Sequence, residues 1–270
     1  MGIVAFWGPI HGQGKMSVNA SLLSSYIALT NQKQVLAMDS QFTYGRLQDI
    51  MCRDAEDGIS QIFTYANTDN LTVESFKIYT TSVIEKKLYI LGATKQQLVS
   101  DYLSGCFNSI LKCADDCYDL VFIDTNAGIY DSNTVAVLEN ADLIVVNLPQ
   151  EGYVLEKFFN REEGYWHPVL DQRNCIHVIG GYQDNYDHYT TTKIKRRFDL
   201  KELYAVPNSK FVHKSIIEQR FMQWMISNYD SDRNDENAYL FHSINEIAER
   251  IVGLPRKQGL FAILSKKVKE

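Results

Sequence analysis

The amino-acid sequence predicts an α/β fold: a doubly wound, mainly parallel sheet with helices on both faces. Three observations lead there. Short continuous apolar runs recur along the chain, helical patterns separate them, and no Pro/Gly/Ser-rich linker or internal repeat breaks the rhythm. A continuous apolar run suits a strand covered on both sides, as in a parallel sheet. Regular alternation of strand and helix builds such a sheet from crossover units.

In chain order, strands are expected at residues 3–7, 34–38, 88–91, 120–124, 143–147, 176–179 and 203–206. Helices are expected at 15–29, 95–116, 132–139, 154–163, 191–198, 209–227 and 235–252. The 270 residues, 45% hydrophobic and 22% charged, have ordinary globular composition. Folds of this class and size often form one domain. One is expected over 1–253, followed by a basic amphipathic tail over 254–270. The net charge of -6 argues against a uniformly basic surface for nucleic acid. The five cysteines are odd in number, and Cys113 and Cys117 lack a second pair to complete a zinc site. With no signal-peptide pattern, reduced thiols in the cytoplasm are expected. No apolar run reaches the roughly 18 residues that a membrane span needs.

Ligands of doubly wound sheets bind at the carboxyl ends of the strands. The first strand runs into Gly8-Pro9-Ile10-His11-Gly12-Gln13-Gly14-Lys15-Met16-Ser17, and a helix follows. A glycine-containing loop with a lysine at a helix start makes a phosphate cradle, because loop and helix N–H groups converge on an anion. Gly12 and Gly14 would let the backbone approach the ligand, and Lys15 would meet the terminal phosphates. The spacing G-x-x-x-x-G-K-[ST] is not met: Pro9 stands at the first glycine and Met16 at the magnesium-binding Ser or Thr. A thioether is a poor ligand for a hard cation. The competing reading is a strand–helix turn that uses glycine only for geometry. Asp39 and Asp124 end the second and fourth runs, on strands expected to flank the first. Each would anchor a magnesium-bound water or simply cap the next turn.

With these residues in view, the chain resembles the ParA/MinD group of P-loop ATPases, whose loop reads K-G-G-x-G-K-[ST]. Gly12-Gln13-Gly14-Lys15 matches the G-x-G-K core. The stretch 33–41 resembles the family's strand ending in D-x-D. Residues 124–129 (DTNAGI) are similar to D-S-P-A-G-I, and 141–150 (ADLIVVNLPQ) to A-D-x-x-x-V-x-x-P-E. Val206-Pro207-Asn208 before a long helix resembles the segment near the adenine. The ordered matches run from Met1 to about Val252.

The resemblance implies ATP and Mg2+ as cofactors, a nucleotide-dependent homodimer, a further protein partner, and a spatial-organisation role in partitioning, cell division or pilus assembly. The His-Gly-Gln loop is similar to the TadZ-like branch linked to pili. His11, Gly12, Gln13, Gly14, Lys15, Met16, Ser17, Asp124 and Pro207 would bind nucleotide. Lys15, Asp39 and Gln41 would be catalytic, and Ser17, Asp39 and Asp124 would hold the metal. The departures fall at the chemistry. The signature lysine falls at Ile10, its neighbouring glycine at His11, the metal Ser/Thr at Met16, and the second Asp of D-x-D at Gln41. The adenine-reading Asn falls among Gly180, Gly181 and Tyr182. Losing one transition-state contact costs about 10²–10³ in rate, so ATP hydrolysis is expected to be weak or absent. Three substitutes are at hand: Ser17 for the metal, Gln41 for orienting a water, and His11 for the missing lysine.

Two alternatives stay open: a nucleotide-independent pseudo-ATPase scaffold, and an ATP-dependent small-molecule kinase or ligase on the same fold. In the tail, Leu260, Phe261, Leu264 and Val268 share one helical face among lysines. Residues 256–270 would therefore touch anionic lipid and hold the protein peripherally on the inner face of the membrane. A packed or frayed terminal helix is the rival reading. Lys193, Lys195, Arg196 and Arg197 form a basic cluster suited to non-specific DNA or, more simply, to solvent. Tyr182, Tyr186, His188 and Tyr189 would line the nucleotide or a partner surface.

Overall fold

Strand β1 (Ile3–Trp7) dictates the architecture around it. Ile3, Ala5 and Trp7 enter one hydrophobic cluster, while Val4 and Phe6 enter another on the opposite face. None of the five is more than 4% exposed. Successive strand residues point to opposite faces, so an uninterrupted apolar run demands cover on both. The same holds for β2 (Val35–Asp39), β5 (Leu120–Asp124) and β6 (Leu143–Leu148). The computed structural model describes residues 2–41, 45–93, 106–128, 131–230 and 237–254. The tail beyond Leu254 and residues 95–105 of the expected 95–116 helix lie outside them.

With β3 (Thr81–Ile84), β4 (Leu88–Leu91), β7 (Cys175–Tyr182) and β8 (Tyr204–Pro207), the strands form one eight-stranded sheet. Its order is β3-β4-β2-β5-β1-β6-β7-β8. The pairings are parallel except β3 with β4. Helices α1 (Met16–Thr30) and α2 (Arg46–Met51) cover the Val4 face. They are joined there by α9 (Lys210–Ile217), α10 (Phe221–Asn228) and α11 (Ala238–Val252). The Trp7 face is covered by α3 (Gly58–Asn67), α4 (Val73–Ile78) and α5 (Phe107–Cys117). It is completed by α6 (Ser132–Asn140), α7 (Gly152–Phe159) and α8 (Thr191–Arg197). This is the expected doubly wound α/β architecture.

Several expectations are corrected. β1 is flanked by β5 and β6, so Asp39 lies one strand further out than expected, although Asp39 and Asp124 are register partners. The expected 209–227 helix is two helices. Gln219 takes φ 58, and Arg220 N–H donates to Ser215 O at 2.8 Å, closing α9 in a left-handed C-terminal turn. Arg161, at φ 59, closes the helix expected over 154–163 in the same way, with Glu162 N–H on Lys157 O. The elements α2, α3, α4 and β3 lie in a stretch that the apolar pattern left unassigned. Tyr182 is buried in the core and Tyr189 packs on Gly152, so this loop turns two of its aromatics inward.

Phe158 on α7 is completely buried and stacks near Trp7, Phe159, Trp166 and His177. Burial alone pushes the His177 imidazole down to about 4, so it packs as a neutral ring. Phe158→Ala opens a cavity at this junction and is expected to cost about 3–5 kcal/mol in urea denaturation. A loss below about 1 kcal/mol would mean that α7 is not anchored there.

Candidate functional site

After Trp7 the chain turns through residues 8–15 into α1. Gly12 and Gly14 adopt φ 71 and 73, and Lys15 adopts φ 55. The left-handed region is open to glycine but strains lysine. The two glycines do different work. Nothing lies within 4 Å of a Cβ built at Gly12, which leaves its surroundings open to a ligand. A Cβ at Gly14 would stand 2.9 Å from Asn147 O, and one at Gly180 would stand 1.9 Å from Gly14 O. Gly14 therefore lets the loop pack closely onto β6 and β7.

Two asparagines fix the loop from below. Asn19 on α1 donates from Nδ2 to Gly14 O at 3.2 Å and to Asn147 Oδ1 at 2.8 Å. Asn147 donates in turn to Val145 O at 2.9 Å. Both are buried, so these bonds are shielded from water. Helix α1 starts immediately after Lys15 with no side-chain cap and no acidic residue in its first turn. Its N-terminal amides are thus left for an anion.

Asp39 and Asp124 stand side by side at the carboxyl ends of β2 and β5. Asp39 Oδ1 accepts from Arg46 N–H at 3.0 Å and from Leu47 N–H at 3.3 Å, so the capping reading holds for that oxygen. Asp39 Oδ2 and Asp124 Oδ1 are buried without a hydrogen-bond partner. Burial drives the Asp39 carboxyl well above the usual range. The charge of Asp124 adds to this, and the two amides oppose it. Burial pushes Asp124 up to about 7 against the Ser17 hydroxyl bond and the Arg46 charge. Two orphaned, desolvated carboxylate oxygens call for a proton or a cation. Hard oxygen donors suit magnesium, and Ser17 adds a hydroxyl beside Asp124. Met16 contributes no such donor; it packs against the core beneath α1.

A cavity of about 470 Å³ opens over these groups. Of the residues expected from sequence, it gathers His11, Gly12, Gln13, Lys15, Met16, Ser17, Asp39, Gln41 and Asp124. Gly14 lies under the loop. Pro207 lines an adjoining slot of about 50 Å³ with Gly181, Asn208 and Ser209, and the slot shares Lys15, Val18, His213 and Ile216 with the cavity. Sequence reasoning missed Arg46, Thr125, Asn126 and His213, which also line the cavity. It also missed the Asn19–Asn147 pair, whose one signal is a polar residue inside an apolar strand run.

No protein-family model matches the sequence, and no curated protein matches it. Solved structures do match. A ParA family ATPase from Chlorobium tepidum TLS superposes with a TM-score of 0.69 at 14% identity, covering 92% of this chain and 97% of that one. The septum site-determining protein MinD of Pyrococcus horikoshii OT3, complexed with Mg-ADP, gives 0.68 at 16% identity over 94% and 98%. An ATP complex of a Cyanothece McdA variant gives 0.65 at 12% identity over 95% and 98%. The chain has an α/β fold of the P-loop NTPase type. More particularly, its fold is that of the ParA and MinD ATPases.

The carboxyl pair makes the unliganded protein sensitive to pH. A folded-state pKa raised from 3.8 to about 7 means that Asp124 stabilises the fold fully below the lower value. That stability is lost as pH rises through the upper one. Asp124→Asn removes the penalty. Its melting temperature without ligand is expected to exceed that of the wild type by an amount that grows from about pH 4 to about pH 7 and then levels off. A difference independent of pH would show that the pair is not desolvated.

Proposed function

We propose that this chain is an ATP-binding spatial-organisation protein of the ParA/MinD kind, switching partners between nucleotide states, with weak or absent hydrolysis. One observation carries the reading. A single cavity joins an uncapped helix start, a glycine-containing loop with Lys15, and two buried carboxylates each with an unpartnered oxygen. Similar structures point the same way: one is a MinD with Mg-ADP and another a McdA with ATP.

In this reading the base enters the slot beside Pro207, and the phosphates lie over Gly12–Ser17 at the N-terminus of α1. Lys15 supplies a cation to them. Asp39 Oδ2, Asp124 Oδ1 and Ser17 would hold magnesium, which neutralises phosphate charge when bound. Gln41 on the rim orients a water in place of a carboxylate, and His11 stands at the mouth where an ammonium is lacking. Phosphoryl transfer depends on such positioning and electrostatics. Weak donors at these places slow the reaction far more than they weaken binding.

The nucleotide face also serves as the homodimer surface, since Ile217, 66% exposed, lines the cavity rim. A further protein partner binds the assembled dimer, as MinD and MinC are found together in one similar structure. Non-specific DNA binding through α8 is the weaker option, because Arg197 there is paired with Glu156. No helix among the described residues is long and apolar enough to cross a membrane. Residues 256–270 provide peripheral membrane contact to a cytoplasmic protein.

Thermal melts test the reading. ATP with magnesium at about 100 times its Kd is expected to stabilise the fold by about 2.7 kcal/mol, and Lys15→Ala to reduce that shift. Steady-state hydrolysis is expected to fall at least about 10²-fold below a protein with an intact loop. Absence of any shift with ATP or ADP would favour the nucleotide-independent scaffold.

A further inference from the structure

The geometry points to Arg46 as the residue that contacts the terminal phosphate of a bound nucleoside triphosphate and distinguishes it from the diphosphate. This rests on the nucleotide reading of the cavity and names a contact that the sequence motifs do not contain.

The sheet order sets the direction of the ligand. The slot lies at the ends of β7 and β8, the loop follows β1, and the carboxylates end β5 and then β2. A nucleotide with its base in the slot and its first phosphates over the loop therefore has its phosphate terminus beside Asp124 and Asp39. Arg46 lines the cavity at that end. Its backbone N–H is bonded to Asp39 Oδ1 at 3.0 Å, which fixes the root of the side chain next to the carboxylates. Its charge also reaches Asp124, where it favours the ionised form.

Lys15 lines both the cavity and the slot. A Cβ built on Gly181 would lie 3.3 Å from Lys15 Cγ and 3.5 Å from its Cε, so the lysine stem runs along β7, on the slot side of the loop. A divalent cation held by Asp39 and Asp124 is largely neutralised by them. The outermost phosphate then still needs a cation from the protein, and among the described residues Arg46 is the guanidinium that lines this cavity. Its existing commitment is slight. Nη1 is 3.9 Å from Asp49 Oδ2, with the two side chains 56% and 59% exposed. Such a pair is weak and readily exchanged. A planar guanidinium binds phosphate through two parallel N–H donors, a geometry that lysine cannot copy.

The test is calorimetric titration of the full chain with magnesium and either ADP or a β,γ-imido analogue of ATP. Arg46→Ala is expected to weaken the analogue by about tenfold or more while changing ADP by less than about twofold. Arg46→Gln, which keeps the stem, is expected to behave likewise, and Arg46→Lys to recover part of the loss. Asp49→Ala, which deletes the present ion pair, should leave both ligands unchanged. Equal losses for both nucleotides, or no loss for either, would overturn the assignment while leaving the nucleotide site in place. Failure of the wild type to bind either nucleotide would instead overturn the reading on which it rests.

Discussion

Two carboxylates that each bury one oxygen without a hydrogen-bond partner are the constraint on which the rest of this structure turns. Asp39 and Asp124 end adjacent parallel strands in register, and each keeps one buried oxygen without a protein partner. Burying ionised groups in this way is costly without compensation. The fold nevertheless brings them together at the strand ends where ligands of such sheets bind. A structural pair would have been satisfied by amides or hydroxyls on every side. Here amides satisfy Asp39 Oδ1 alone, in capping α2. Asp39 Oδ2 and Asp124 Oδ1 are each left calling for a proton or a cation.

The loop opposite this pair is held by the sheet rather than by its own residues. Gly8, Gly14 and Gly180 each lack room for a Cβ, and the obstructing atoms are backbone oxygens of Asn147 or Gly14. Asn19 and Asn147 close the same contact with side-chain bonds. The strain of Lys15 in the left-handed region is maintained by this packing, as strain at functional positions generally is. The loop and the start of the first helix are thus packed directly onto β6 and β7. Ile10, Met16 and Gln41 line the cavity and take no part in that packing.

Much of the fold could be read from the sequence because buried parallel strands leave an unmistakable mark. The five residues of β1, all apolar, gave its limits, as did the runs ending in Asp124 and Leu91. Edge and short elements left none. β3 is a half-buried edge strand of four residues, and α2 and α4 are six-residue helices whose length gives no full period. The capping pair Thr72 and Ser75 was a usable sign of α4. The breaks at Arg161 and Gln219 were hidden because a non-glycine residue takes the left-handed position. Within the site, the loop and the strand-end aspartates were legible by position. Arg46 was not, since it stands outside the motifs and is brought to the cavity at the start of α2, where its N–H bonds Asp39 Oδ1. Asn147 was visible only as a polar residue in an apolar run, with its partner Asn19 four residues beyond Lys15.

The most direct measurement is the anomalous scattering of manganese in crystals soaked with Mn2+ and a non-hydrolysable triphosphate. A peak within coordination distance of Asp39 and Asp124, with triphosphate density along Gly12–Ser17, is the expected result. Density elsewhere, or Asp39 Oδ2 and Asp124 Oδ1 still without a cation at saturating ligand, would contradict the account.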